Sequence, residues 1–493
     1  MFKYSDFNSN IKRSNSYKVK VNGIDVPVYV SRSSKYPFNT IWPNHQRDIN
    51  QSELNSYINL ISDEKLNIEV EVLTDKKYNS IAIKPYSKKI EYKRCENIIS
   101  FNIENNGFYI LEIDGYHDFL YIFNSREHIK IDETVTYYFG PGIYDIGKLT
   151  LKSNDIVYLD KDAYVYGMIY SKGEKNIKIY GNGIFDGSKE IRPEEDCYSG
   201  ITNGNVKFYD CENISISGIG FTDSAIWCIN LFHSMNILID DVKVFGEWRY
   251  NTDGIDIVNS KDVKIINSFV HSFDDTITLK GIKTYQDTDV ENIYVDNCVV
   301  WCDWGRCLEI GLETECKKYN NIVFKNCDVL RGGSVACDIQ NGGIAEINNI
   351  IYENINLEIE ESYTESIYQD NDEMEYKPSN EVELSQLIAI NNNQYRGRFN
   401  CAEISFKESK DFKDSSIASI KNIKFKNLSV YASENLINKY KEKCITIYAR
   451  NFVPTATFEN ILIENIKLNE IKVQEEQINI LIDESLKDIQ IKL

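Results

Sequence analysis

A short unit, Asn followed by Ile-x-Ile or a close variant, recurs along most of this chain and limits its fold more than any other feature. It reads Asn176-Ile177-Lys178-Ile179, Asn213-Ile214-Ser215-Ile216, Asn236-Ile237-Leu238-Ile239, Asp262-Val263-Lys264-Ile265 and Asn292-Ile293-Tyr294-Val295. It continues as Asn321-Ile322-Val323-Phe324, Asn349-Ile350-Ile351-Tyr352, Asn422-Ile423-Lys424-Phe425 and Asn460-Ile461-Leu462-Ile463. Successive units are mostly about 23–30 residues apart, with wider gaps where loops are inserted, which is the solenoid range. One unit cannot bury its Ile and Val face, whereas a stack of them builds a continuous core. The units are short and β-branched with no helix-length amphipathic segment, so leucine-rich and ankyrin-type solenoids fit poorly. A right-handed parallel β-helix fits best. Asn ahead of each strand suits a turn, and stacked amides can bond along the axis as ladders.

Residues 1–134 read differently. Alternating runs such as Tyr17-Lys18-Val19-Lys20-Val21 and Asn67-Ile68-Glu69-Val70-Glu71-Val72 are separated by Asn, Asp and Gly. Period-two alternation between turn residues is the pattern of antiparallel strands with one buried face, so a β-sandwich is expected there. His117 and His128 stand apart from any reactive cluster and read as structural. The transition at Tyr138-Phe139-Gly140-Pro141-Gly142 leads into the repeats. The expected class is therefore all-β, with a sandwich domain at 1–134 and a β-helix domain at 135–493. The longest interruption of the array, around 358–421, is acidic and polar and is expected to emerge as a loop, solvated or forming a wall beside a binding face.

With 55 Lys and Arg against 75 Asp and Glu, the chain carries a formal charge of −20. That balance argues against nucleic acid or an anionic membrane surface as the main partner. It also repels an anionic polymer at long range, although local charge in a groove can override the total. No stretch approaches the roughly 18–20 consecutive apolar residues of a membrane helix. Met1 to Asn8 shows no basic head followed by an apolar run. The expected location is cytoplasmic for the sequence as written, or extracellular if a leader has been removed. The 12 Cys are dispersed without CxxC pairs and read mostly as small buried hydrophobes.

Two carboxylate strings fall about one coil apart inside the array: Asn251-Thr252-Asp253-Gly254-Ile255-Asp256 and Ser272-Phe273-Asp274-Asp275-Thr276. Neighbouring coils of a β-helix lie about 4.8 Å apart, so Asp253 and the Asp274/Asp275 pair can converge. Hydrolysis of a glycosidic bond with inversion needs one carboxylic acid to protonate the leaving oxygen and a carboxylate to activate water. Crowding raises the pKa of at least one member, which keeps an acid protonated near neutral pH. Either string alone is also compatible with a solvated turn. Their joint spacing inside a solenoid selects the catalytic reading.

These strings resemble the NTD and DD motifs of the polygalacturonases, the family 28 glycoside hydrolases of the pectin-lyase-like β-helix superfamily. Gly181-Asn182-Gly183-Ile184-Phe185-Asp186-Gly187 is similar to the family's GxGxIDG turn, and the resemblance spans roughly Phe139 to Glu353. It implies Asp274 as general acid, Asp253 and Asp275 as holders of the attacking water, an inverting mechanism, and neither metal nor other cofactor. The implied partner is a polysaccharide or oligosaccharide; oligomeric state, linkage and endo or exo action stay open.

The departures bear on substrate. Where the family carries GHG, this chain has Gly305-Arg306-Cys307, followed by Leu308-Glu309-Ile310-Gly311. The family's RIK, whose Arg and Lys grip a galacturonate carboxylate, falls on Asp338-Ile339-Gln340, with Arg331 not far upstream. An Asp there would repel a uronic acid. The candidate substrate-binding set is Asn251, Asp256, Lys280, Trp304, Arg306, Glu309, Asp338 and Gln340. Arg306 and Glu309 read either as substrate-binding groups or as a mutual ion pair, and Trp304 as a sugar-stacking face or as buried packing. Lys280 and His271 flank the acidic pair. The domain layout is also similar to family 49 dextranases and isopullulanase, which cleave neutral α-glucans. A polysaccharide lyase would want a Ca²⁺ site and a basic residue, and a non-catalytic glycan-binding β-helix would have little need of the trio.

Overall fold

The computed structural model describes residues 2–35, 49–73, 77–104, 106–129, 135–191, 204–282, 285, 287–343, 345–359, 365–369, 376–382, 384–392, 418–451 and 457–493. Two sheets form the N-terminal sandwich. The outer one runs Ile24–Val26, Tyr17–Val21, Leu66–Val72, Ile98–Ile103, Tyr92–Cys95, antiparallel throughout. The inner one runs Lys3–Tyr4, Ser52–Ile61, Leu120–Ser125, Gly107–Ile113, Ile81–Lys84, with Tyr29–Ser34 also paired to Ser52–Ile61. One pairing departs from the antiparallel expectation: Leu120–Ser125 lies parallel to Ser52–Ile61. Period-two alternation is the same for either strand direction, so sequence could not show it.

The two sheets differ in what covers them. Along Tyr17–Val21, Tyr17, Val19 and Val21 are buried and the two lysines are exposed, as for a sheet with one wet face. The inner sheet is covered twice. Ile58, Leu60, Leu111 and Ile122 meet the outer sheet, while Tyr57, Phe108, Tyr121 and Phe123 share a second core with Phe245, Phe269 and Trp301 of the following domain. Leu120–Ser125 is consequently buried along its whole length.

From Tyr137–Phe139 onward, one continuous sheet of 29 strands winds as a right-handed parallel β-helix. Through most of the array each strand pairs with the third strand after it, which gives three columns per coil. The Asn-Ile-x-Ile units form one column, exemplified by Lys175–Gly181, Glu212–Ser217, Met235–Asp240 and Lys261–Ile266. A second column, Gly220–Thr222, Lys243–Phe245, Phe269–Ser272 and Val299–Cys302, lies against the sandwich. A third, Val206–Tyr209, Ile229–Phe232, Ile255–Val258, Ile277–Gly281, Arg306–Thr314 and Val335–Asn341, carries the polar outward face described below.

The repeat's leading residue is a bend. Asn176, Asn213, Asn236, Asp262, Asn292, Asn321, Asn349, Asn422 and Asn460 all take positive φ, between 53° and 60°. Asn and Asp tolerate this left-handed conformation because their short side chains bond locally. Amides stack where coils align: Asn292 donates to Asp262 at 2.8 Å, and Asn321 to Asn292 at 2.8 Å. A second ladder, five residues further on, closes the same column: Asn297 donates to Asn267 at 2.8 Å, Asn354 to Asn326 at 2.8 Å and Asn465 to Asn427 at 2.7 Å.

Within the acidic interruption, Glu365–Gln369 and Tyr376–Val382 pair antiparallel, and Gln386–Asn392 is a strand of the third column. Of that expected loop, 360–364, 370–375, 383 and 393–417 lie outside the described residues, while its two ends belong to the strands Glu346–Ile359 and Ser419–Ala432. The described cysteines form no disulfide, and all but Cys95 are buried. No helix of the described residues is long and apolar enough to cross a membrane.

Candidate active site

The turns that lead from the sandwich-facing column into the third column carry the reactive side chains. Asp253, Asp275 and Arg306 each stand two residues ahead of a core residue, and those core residues, Ile255, Ile277 and Leu308, pair in succession. The register therefore stacks two carboxylates and a guanidinium on successive coils, about 4.8 Å apart. The Gly254 N–H donates to the Asp275 carbonyl and the Thr276 N–H to the Arg306 carbonyl, both at 2.8 Å, which fixes the stacking. Asp274 lies one residue before Asp275. Its neighbour on the next coil is Gly305, where an added Cβ would lie 2.5 Å from Asp274 Oδ1 and 2.5 Å from Asp275 Oδ1. Glycine is required there so that both carboxyls can lie against the turn.

Two cations hold the cluster. Lys280 Nζ is 2.7 Å from Asp253 Oδ2, 3.2 Å from Asp256 Oδ1 and 3.8 Å from Asp275 Oδ2, and it sits 4.2 Å above the Trp227 ring. The Arg306 backbone N–H donates to Asp275 Oδ1 at 2.9 Å, and Nη1 lies 3.8 Å from the same oxygen. Asn251 Nδ2 reaches Asp274 Oδ2 at 3.4 Å. Asp253 is 1% exposed, whereas Asp274 and Asp275 retain 8% and 7%, so the pair is more open to solvent than Asp253.

Beneath them the outward residues of the third column form a polar floor. Asp256, Thr278, Glu309 and Asp338 occupy one register position on successive coils, all fully buried. Arg306 covers the far end, its Nε 3.0 Å from Asp338 Oδ2 and 3.6 Å from Glu309 Oε1. Gln340 donates to Asp338 Oδ2 at 2.9 Å and Thr278 to Glu309 Oε2 at 3.2 Å. Arg306 thus pairs with both acids and keeps 27% of its side chain exposed. Asp253 Oδ1 and Asp338 Oδ1 are buried with no hydrogen-bond partner.

Burial dominates the proton affinities. It pushes Asp274 well above the usual carboxylate range, reinforced by Asp253 and Asp275 and opposed by Lys280 and Arg306. It raises Asp253 to about 7, against the opposing pull of Lys280, and Asp338 to about 6, against Arg306. Glu309 and Asp256 are likewise driven well up. Lys280, despite its own desolvation, is held charged by the carboxylates around it, Asp253 first.

Trp304 is half-buried and stacks on Phe273 at 5.7 Å between ring centroids. His271 does not enter the site; it is buried at the domain interface, where Tyr121 Oη meets its Nδ1 at 2.6 Å. Arg331 is also committed there, bonded through both terminal nitrogens to Glu112 of the sandwich. Sequence reasoning missed Trp227, whose following residue Cys228 donates to the Asp253 carbonyl at 2.8 Å, and Gly305 as the spacer under the pair. It also missed Asp223 and Arg249, paired at 3.1 Å one turn ahead of Asn251, with Asp223 raised to about 6 by burial. The Glu247-Trp248-Arg249 string was the available signal. Among the described residues, no group of three or more His, Cys, Asp or Glu is arranged to hold a metal ion.

A three-column β-helix with an acid cluster on the turns of one edge, backed by a β-sandwich, is a pectin-lyase-like architecture. The chain belongs to glycosyl hydrolases family 28, which residues 140–399, more than half of its length, match. Probable exopolygalacturonase B of Aspergillus terreus is 24% identical over 233 residues, 42% of this chain and 52% of that protein. A polygalacturonase of Gossypium barbadense is 32% identical over 111 residues, 21% and 27% of the two chains. The chain spans about half the length of the first of these relatives. In overall fold it is similar to Dex49A from Penicillium minioluteum, with TM-score 0.63 and 14% identity over 99% of this chain and 96% of that one. The similarity extends over sandwich and β-helix together.

Proposed function

We propose that this protein is an inverting glycoside hydrolase in which Asp274 protonates the leaving glycosidic oxygen and Asp253 and Asp275 activate the attacking water. The observation that carries this reading is the convergence of three carboxyls with unlike environments. Asp274 is kept protonated by burial and two neighbouring acids, while Asp253 is bound to a charged Lys280 at 2.7 Å. A high-affinity acid beside a cation-supported base is the division of labour that inversion requires. Trp304 offers its edge of the groove to a sugar ring.

The subsite beyond the acid takes a neutral sugar in preference to a uronate. Asp338 and Gln340 occupy the floor, and Arg306 already pairs with Asp338 at 3.0 Å and lies 3.6 Å from Glu309. A substrate carboxylate would compete with two buried acids for one guanidinium. The polygalacturonase names of the relatives favour a galacturonate polymer; the acidic floor favours a neutral sugar.

The test is reducing-end release from polygalacturonate, rhamnogalacturonan, dextran and pullulan, with the anomer of the first product read by proton NMR. Release from a neutral glucan with inverted anomer is expected. Preferential release from polygalacturonate would overturn the subsite assignment, a retained anomer the mechanism, and an unsaturated product absorbing in the ultraviolet the hydrolytic reading itself.

A further inference from the structure

The strands Phe269–Ser272 and Val299–Cys302 of the sandwich-facing column lead directly into the reactive turns, and the column's coils there are stacked side chain on side chain. His271, Trp301 and Arg331 are register partners on successive coils. The His271 and Trp301 rings lie 4.1 Å apart at 13°, and the Arg331 guanidinium is 4.5 Å from the Trp301 ring. Each member meets the sandwich: His271 at Tyr121 and Phe119, Trp301 at Phe119 with 4.8 Å between centroids, and Arg331 at Glu112 and the Tyr116 ring. Side chains of the sandwich thus contact three successive coils.

From there the contacts run into the reactive turns. Tyr121 Oη meets His271 Nδ1 at 2.6 Å, and His271 Nε2 meets Asp303 Oδ1 at 3.2 Å; Trp301 Nε1–H donates to the same oxygen at 3.0 Å. Asp303 opens the turn Asp303-Trp304-Gly305-Arg306, on which both catalytic carboxyls rest. Ser334, just after the Arg331 coil, bonds the Gly305 carbonyl through its N–H at 2.9 Å and its hydroxyl at 3.0 Å. Ser272, just after His271, bonds the Asp274 carbonyl at 2.6 Å.

We infer that the N-terminal sandwich works as part of the active site at one remove: Tyr121, through His271 and Asp303, is a positioning residue that holds the Gly305 turn against Asp274 and Asp275. The inference rests on the proposed roles of those two carboxyls. The hydroxyl of Tyr121 is suited to the task because burial, then Asp303, keeps it protonated and able to donate. Tyr57 provides the control. It belongs to the same interdomain core, but its hydroxyl is buried with no hydrogen-bond partner.

The experiment compares Tyr121→Phe, Tyr57→Phe and Asp274→Asn in the full chain, on whichever of the four polymers the wild type cleaves fastest. Tyr121→Phe is expected to lower kcat about tenfold, the scale of a small misplacement of reacting groups, with KM within about twofold and Tyr57→Phe unchanged. Equal kcat in Tyr121→Phe and wild type, or equal losses in both tyrosine variants, would overturn the positioning role. If Asp274→Asn keeps full turnover, the assignment of the acid fails instead. Backbone hydrogen exchange tests the positioning without substrate. Tyr121→Phe should speed exchange in peptides covering 271–276 and 301–306 above the rest of the β-helix, and an even or absent increase would refute the link.

Discussion

Two stacks of polar side chains run along this β-helix, and they obey opposite rules. In the Asn ladders each amide donates to the oxygen of an earlier coil, as Asn297 does to Asn267, at the protein surface and mostly between uncharged groups. In the carboxylate column Asp256, Glu309 and Asp338 share one register position, with Thr278 between the first two, and all are fully buried. An amide carries both donor and acceptor, so a stack of amides satisfies itself; a carboxylate carries only acceptors, and a stack of them does so only by binding protons or cations. The first arrangement supports the solenoid. The second holds protonated groups and constrained cations at one edge, which is what acid–base chemistry on a sugar uses.

The comparison breaks most sharply at Asp274. Asp274→Asn keeps the shape of a group that burial holds protonated but removes its proton-donating role. Initial rates should fall by a hundredfold or more, within the roughly 10²–10⁴ of general acid–base groups, with melting temperature nearly unchanged; retained rate would remove Asp274 from the acid role. Gly305→Ala tests the space beneath the pair. A methyl group 2.5 Å from both carboxyls forces one of them away, so turnover should fall about tenfold to a hundredfold and thermal stability should drop. An alanine variant with wild-type kcat would show that the turn yields without consequence.

The charge on Lys280 predicts a smaller effect, readable in a pH profile. On the proposed mechanism activity needs Asp253 ionised, so kcat/KM should rise with pH through about 7, the value to which burial raises Asp253. It should fall again at higher pH as Asp274 loses its proton. Lys280→Met removes the charge that pulls Asp253 down, so the acid limb should move to higher pH; an unmoved limb would assign it to another group. The same shift has a stability counterpart. Because the folded state holds this proton more tightly than the unfolded chain, with its carboxyl near 3.9, Asp253 lowers stability progressively as pH rises from about 4 to about 7. In Asp253→Asn that part of the decline should be absent from melting curves recorded across the window.

Smallest of all is the ladder. Asn297→Ala removes one inter-coil bond and places Ala at a φ of 54°. The expected cost is about 1–2 kcal/mol in chemical denaturation, with turnover unchanged. Asn297→Gly, which keeps the backbone relaxed, should cost less. If alanine and glycine cost the same, the side-chain bond rather than the conformation is what the ladder contributes.

The sequence by itself determined the repeat, and with it the β-helix. Branched residues at Ile-x-Ile spacing can be buried only by stacking, and Asn at each bend is one of few residues at ease there. It also determined which carboxylates meet, because Asp253 and Asp275 stand at matching offsets from core residues one coil apart. The second ladder was legible too, in the Asn five residues after most units. Other features depended on contacts between segments far apart in the chain. Arg331 and Glu112 are 219 residues apart, and His271 and Tyr121 are 150 apart. No local pattern marks an Arg as bound to another domain rather than to a substrate. The parallel strand Leu120–Ser125, the pairing of Arg306 with Asp338, and the burial that raises Asp274 were likewise fixed only by the tertiary structure. Periodicity records which face of a strand is covered; it carries no information on what covers it.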